Sequence, residues 1–218
     1  MRRIAINDVH LRHLRARVSP GPAGAGVERE NHQGFRCPHP CLGSGIGGRA
    51  RPDWGIAVQG PHVARTYFNR PEATALAKIM AGPGGGFYHR MGDLGYLDAQ
   101  GRIWFCGRKS HRVVTRQGTF FTIPCEAIFN THPAVFRSAL VGVKRGSETE
   151  PVICVELEPE VRANLELLTA ELRELAGKHP HTRPIQRFLV HPGFPVDIRH
   201  NAKIFREQLA VWASRQSP

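Results

Sequence analysis

Arg90-Met-Gly-Asp93-Leu-Gly-Tyr-Leu-Asp98 is followed at once by Ala99-Gln-Gly101 and Arg102-Ile-Trp-Phe-Cys106-Gly107-Arg108. Two apolar runs flanking the turn-forming Asp98-Ala-Gln-Gly101 predict a β-hairpin. Gly107-Arg108 closes the hairpin and is read as a boundary. Before it, Trp54–Gln59 reads as a short strand. Asn69-Arg-Pro-Glu-Ala-Thr74 opens a helix expected to run to about Met80, with Pro71 suited to the first turn. The Gly82–Gly86 run ends that helix.

Beyond the boundary the texture changes. Short strands are expected around Val113 and Phe120, then a helix from about Pro124 to Asn130, and strands over Phe136–Val143 and Val152–Leu157. Leu165, Leu168, Leu172 and Leu175 lie three, four and three apart, which puts one apolar stripe on a helix. A strand at Phe188–Val190 and a final helix from about Lys203 to Ser214 complete the order. Strands interleaved with helices predict an α+β fold. Residues 1 to 53, rich in Gly, Pro and Arg and lacking any sustained period, are read as poorly ordered.

Composition narrows the classes of function. The chain has 218 residues and 41% hydrophobic content, enough for a buried core. No apolar run approaches the roughly 18–20 residues of a membrane span, and Met1-Arg2-Arg3 lacks the apolar stretch of a secretory signal, so a cytoplasmic protein is expected. Cys37, Cys41, Cys106, Cys125 and Cys154 are an odd set, three of them single within apolar segments, which predicts reduced and mostly buried thiols. A net charge of +12 invites a nucleic-acid partner. The basic residues are scattered, however, without an RNA-binding aromatic signature or zinc-finger spacing, so a basic nucleic-acid or partner-binding module is kept only as the alternative of another class.

Several patterns have bland readings. Gly43-Ser-Gly45-Ile-Gly-Gly48 has dinucleotide-loop spacing, but no strand precedes it and no helix follows. His32, Cys37, His39 and Cys41 are too compressed for a standard zinc site. Gly82–Gly86 lacks the Lys-Ser or Lys-Thr of a phosphate loop. Asp93, after a glycine at the lip of the hairpin, could accept hydrogen bonds from a vicinal diol, although taken alone a turn-capping role is the better reading. Lys203, placed at a helix start, could reach a developing anion or simply be solvated.

In order along the chain, Gly60-Pro61, Tyr67-Phe-Asn-Arg-Pro-Glu-Ala-Thr74, Tyr88–Asp98, Gly101–Arg108, Pro124-Cys-Glu126 and Asn201-Ala-Lys203-Ile-Phe-Arg206 resemble the adenylate-forming superfamily of acyl-CoA synthetases, peptide-synthetase adenylation domains and luciferases. Within it, Trp104–Arg112, Thr122–Glu126, Asn130–Pro133 and Arg199–Arg206 look like the bacterial olefin-biosynthesis β-lactone synthetases. The resemblance covers residues 54 to 214. It implies the β-rich end of a large adenylation domain over 54–108, followed by a small α+β lid domain over 109–218.

The same resemblance implies that Asp93 binds the ribose hydroxyls of ATP and that Arg108 contacts ribose or phosphate. It implies that Lys203 stabilises charge as a carboxylate attacks the α-phosphate. A β-hydroxy fatty acid would then close to a β-lactone, its own hydroxyl displacing AMP; an acyl-CoA or aryl-CoA ligase is the alternative of the same class. ATP and Mg2+ are the implied cofactors, and other olefin-pathway enzymes the implied partners. Two departures stand out. Ser110 occupies the hinge position where the family carries a charged residue, and Ala202 stands where glycine is usual. Nothing before Trp54 resembles the family's phosphate loop or magnesium motif, so a truncated, C-terminal portion with little turnover of its own is expected.

Overall fold

The computed structural model describes residues 15–19, 55–80, 86–97, 103–197, 199 and 203–216. Most of the first 53 residues, the Gly82–Gly86 run, the dinucleotide-like glycines and the His32/Cys37/His39/Cys41 group fall outside these or touch them only at an edge. Among the described residues the chain divides into two units, one ending at Ser110 and the other beginning at His111.

The first unit is a five-stranded sheet organised on one long strand. β1 (Arg15–Ser19) pairs antiparallel with β2 (Gly55–Gln59), and β2 pairs with β4 (Phe87–Leu97). The other edge of β4 is shared: β3 (Lys78–Met80) takes Phe87–His89, and β5 (Ile103–Arg108) takes Asp93–Leu97. The expected hairpin is therefore β4–β5. Two features differ from expectation. Residues 15–19 form a strand, in a segment read as poorly ordered. The helix opened by Asn69–Thr74, α1 (Pro71–Ala77), stops three residues short of Met80. At Lys78 the backbone turns extended, because Lys78, Ile79 and Met80 complete the hydrogen bonding of an otherwise open β4 edge.

The second unit is layered helix, sheet, helix. A hairpin, β6 (Val113–Thr115) and β7 (Gly118–Phe120), leads into α2 (Thr122–Phe129). This helix begins two residues before Pro124, which the first turn tolerates because its amides have no intrahelical acceptor. β8 (Val135–Arg145) and β9 (Glu148–Leu157) form an antiparallel hairpin, α3 (Leu165–Gly177) follows, and β10 (Arg187–Val190) pairs parallel to β9. α4 (Arg206–Arg215) closes the unit.

Both faces of this sheet are buried, and the pleat sorts its side chains. Leu140, Ile153 and Val155 point into a core with Phe129, Leu168, Leu172, Ala176, Ile185 and Phe188. Their neighbours Ala139, Val141, Val152 and Cys154 point the other way, against Phe194, Leu209 and Ala213. Strands with two covered faces must be apolar at consecutive positions, which is why Val152–Val155 shows no alternation. On α3 the buried stripe is Leu168, Leu172 and Ala176, with Leu175 partly buried. Leu165, at the first turn, is 57% exposed. Asn164 caps that turn, its Oδ1 accepting from the N–H groups of Glu166 and Leu167. The described cysteines Cys106, Cys125 and Cys154 are buried, and burial pushes the Cys154 thiol up to about 12.

Leu172 is fully enclosed between α3 and the sheet. Replacing it with alanine is expected to lower the stability of the second unit by about 2–5 kcal/mol, read as a shifted urea midpoint with an unchanged slope.

Candidate functional site

The hairpin holds Asp93 and Arg108 directly opposite each other, as register partners on β4 and β5. Each is preceded by a glycine of positive φ, Gly92 at 72° and Gly107 at 118°. An L side chain at either position would be strained, so these glycines let the two strands turn their charged residues toward one another. A register shift between Leu94 and Gly95 lies beside the pair, and at Gly95 an added Cβ would stand 2.6 Å from the Trp104 carbonyl oxygen. Glycine is required there by contact distance.

Arg108 Nε lies 3.1 Å from Asp93 Oδ1, and its Nη1 donates to the Met91 carbonyl at 3.0 Å. The guanidinium is 57% exposed and the carboxylate 18%. The Nε approach lacks hydrogen-bond alignment, so the shielded Oδ1 keeps an unused acceptor among the described residues. A buried oxygen without a donor is costly, and a hydroxyl arriving from a ligand would satisfy it. Ser110 follows in a short 3-10 helix, Lys109–His111.

Lys203 does not begin α4. It sits three residues earlier in an extended segment, because residues around it bridge to the incoming Pro195–Asp197 segment. Val196 and Ile204 form an antiparallel bridge, the Asp197 N–H donates to the Lys203 carbonyl at 3.0 Å, and the Phe205 N–H donates to the Pro195 carbonyl at 2.8 Å. The lysine side chain is exposed, and its ammonium has no partner among the described residues. Backbone position is fixed while the charge stays available.

Both sides of this ladder are tied to acids, Glu156 half-buried and Glu126 buried. On the incoming side the Phe194 N–H donates to Glu156 Oε2 at 3.0 Å, and Arg137 Nε donates to the same oxygen at 2.6 Å. On the outgoing side Arg206 makes a two-pronged contact with Glu126: Nη2 to Oε2 at 2.9 Å, and Nη1 to Oε1, which also accepts from the Leu140 N–H at 2.7 Å. Burial pushes the Glu126 carboxyl above the usual carboxylate range, and the Arg206 charge and hydrogen bonds pull it back. Glu126 and Arg206 belong to motifs quoted for the family resemblance, but spacing alone gave no sign that residues so far apart meet.

His191 precedes the ladder, with its ring edge-on to Trp212 at 4.5 Å and to Phe194 at 5.8 Å. Burial lowers its pKa below 6.5, opposed by the Glu156 charge. A depressed histidine contributes stability fully above its ordinary pKa and loses it as the pH falls through the folded value. Between pH 8 and pH 5 the parent is therefore expected to lose more stability in urea unfolding than His191→Gln, which keeps an acceptor but takes no proton; equal losses would show that His191 is not the group responsible.

No family model matches the chain. Over 166 residues it is 56% identical to an olefin beta-lactone synthetase of Xanthomonas campestris pv. campestris, a match covering 74% of this chain and 30% of the relative. It is 32% identical over 125 residues to a 2-succinylbenzoate–CoA ligase of Geobacillus kaustophilus, covering 57% of this chain and 24% of that one. The ATP-bound crystal structure of MatB from Rhodopseudomonas palustris superimposes with a TM-score of 0.67 at 19% identity, over 93% of this chain and 34% of that one. The chain thus spans about 30% of the length of the first relative.

Proposed function

Since the chain resembles olefin beta-lactone synthetases in sequence and has the fold of the C-terminal part of adenylate-forming ligases, we propose that it serves the ATP-dependent, AMP-forming activation of a carboxylate, with a β-hydroxy fatty acid as substrate. The observation that carries this reading is the unused Oδ1 acceptor of Asp93 beside the exposed Arg108 guanidinium. A ribose offers vicinal hydroxyl donors to that oxygen, and the guanidinium meets ribose or phosphate oxygens. Lys203 brings an ammonium, without a partner among the described residues, to the charge that develops as the substrate carboxylate attacks the α-phosphate and pyrophosphate departs. The β-hydroxyl of the same acyl group then attacks the acyl carbon, forming the ring C–O bond and releasing AMP. Holding nucleophile and electrophile in one molecule favours that closure.

Ser110, at the end of the first unit, is assigned the hinge position in this scheme. Mg2+ has no assigned residue: among the described residues no group of three or more His, Cys, Asp or Glu could hold a metal ion, so no step is routed through it. No helix of the described residues is long and apolar enough to cross a membrane; a cytoplasmic location beside other olefin-pathway enzymes is part of the proposal. A second reading, thioester formation, is favoured by the likeness to the 2-succinylbenzoate–CoA ligase.

The test is ATP–pyrophosphate exchange with β-hydroxy fatty acids. The chain is assayed alone, where little turnover is expected, and together with the preceding part of the Xanthomonas relative. Lys203→Ala is expected to lower the exchange by about 10²–10³-fold. Exchange unaffected by that substitution removes Lys203 from the reaction. Lactone formed without coenzyme A supports the first reading, and a thioester formed on its addition supports the second.

A further inference from the structure

Two stretches that carry the family resemblance, Pro124-Cys-Glu126 and Asn201–Arg206, have no role in the chemistry above except through Lys203. The fold joins them. Glu126 lies in α2 with its side chain 9% exposed, and Arg206, at the first position of α4, has 14% exposure. Both carboxylate oxygens are engaged by the guanidinium, Oε1 also takes the Leu140 N–H, and Nη1 also reaches the Leu140 carbonyl at 3.2 Å. One central residue of β8 is therefore bonded through both its backbone groups to a side-chain pair that fixes where α4 begins. Lys203 is three residues upstream of that point, and the Val196–Ile204 bridge holds the segment's other side.

We propose that Glu126 is a positioning residue for Lys203, acting through Arg206. The pair is the outgoing anchor of the Lys203 ladder, as Glu156 with Arg137 is the incoming one. A guanidinium suits this task where an ammonium would not, because its planar fork fixes direction as well as distance. The role rests on Lys203 acting as proposed above. It differs from a contribution to stability, since buried ion pairs are often replaceable by apolar side chains at no cost to folding while the directional constraint goes with the charges.

That difference supplies the experiment. In the full chain, Glu126→Gln, Arg206→Met and the double variant Glu126→Met/Arg206→Met are compared with the parent by thermal unfolding and by amide hydrogen exchange. The single variants, which strand a buried charge, are expected to melt lower, and the double variant to recover most of that loss. In the double variant the amides of Asp197 and Phe205, which report the ladder around Lys203, are expected to exchange about tenfold faster or more, while those of Val152 and Ile153 keep the parent rate. Parent-like exchange at Asp197 and Phe205 in a folded double variant overturns the proposal. If the double variant does not fold, the same comparison is made on Arg206→Lys, which keeps the charge and loses the fork; parent-like ladder exchange there overturns it equally. Amide exchange is independent of turnover, so a Lys203→Ala variant of unchanged activity sinks the functional reading without touching this result.

Discussion

A carboxylate carried into the interior by a helix has to find its counter-charge there or give up its own. In the second unit Glu126 finds Arg206, and the arrangement of the elements around them follows from that meeting. α2 cannot slide along β8 without breaking the Leu140 contacts, and α4 cannot begin elsewhere without leaving a charge stranded, at a cost of several kcal/mol. Desolvation of the two groups opposes their attraction; burial pushes the Glu126 carboxyl up, and the Arg206 charge and hydrogen bonds act against that push. The pair's effect is on geometry. It selects one docking of two helices on one strand from many that would bury comparable apolar area.

The sheet supplies the rigid body on which that selection acts. Pairing Leu140 with Ile153, and Ala139 with Cys154, sends adjacent residues of one hairpin into opposite cores. A shift of register by one residue would exchange the two sets, placing Leu140 and Ile153 where Ala139 and Cys154 now meet α4. The cores have different shapes, one lined by Phe129, Leu168 and Phe188 and the other by Leu209 and Ala213, so the swap would overpack one and leave gaps in the other. Register is therefore held by volume on both faces, and the Leu140 backbone groups that meet Glu126 and Arg206 are held with it.

What the sequence made legible follows the range of the interactions concerned. The β4–β5 hairpin, the α3 stripe and the β6–β7 pair depend on residues within a few positions of one another, and their patterns could be read directly. Lys78–Met80 has helical neighbours on one side and nothing locally that forbids a helix; an open edge of β4, formed later in the chain, makes it a strand. β1 is a strand for the same reason, through its pairing with β2. The amphipathic residues after Lys203 predict a helix that starts there, whereas the hydrogen bonds with Pro195–Asp197 delay the helix to Arg206. Asp93 and Arg108 were found as motif residues, but their alignment in one register depends on backbone turns at Gly92 and Gly107, and a glycine's φ is not written in its neighbours.

The two charged centres share a design that bears on why they are suited to chemistry. At Asp93 the strand register, two glycines and an exposed guanidinium hold the carboxylate, yet Oδ1 is left without a donor among the described residues. At Lys203 the carbonyl is bonded, the adjoining residues are bridged, the flanks are tied to Glu126 and Glu156, and the ammonium is left free among the described residues. At Lys203 the constraint reaches the functional atom through backbone; at Asp93 backbone is joined by the Arg108 ion pair, which leaves Oδ1 without an aligned donor among the described residues. A fully hydrogen-bonded ion pair at either group would be less useful, since a ligand would first have to break it. Groups left unsatisfied on an ordered backbone carry their electrostatic interaction into the complex with little reorganisation, which is the condition under which fixed charges stabilise a transition state more than a ground state.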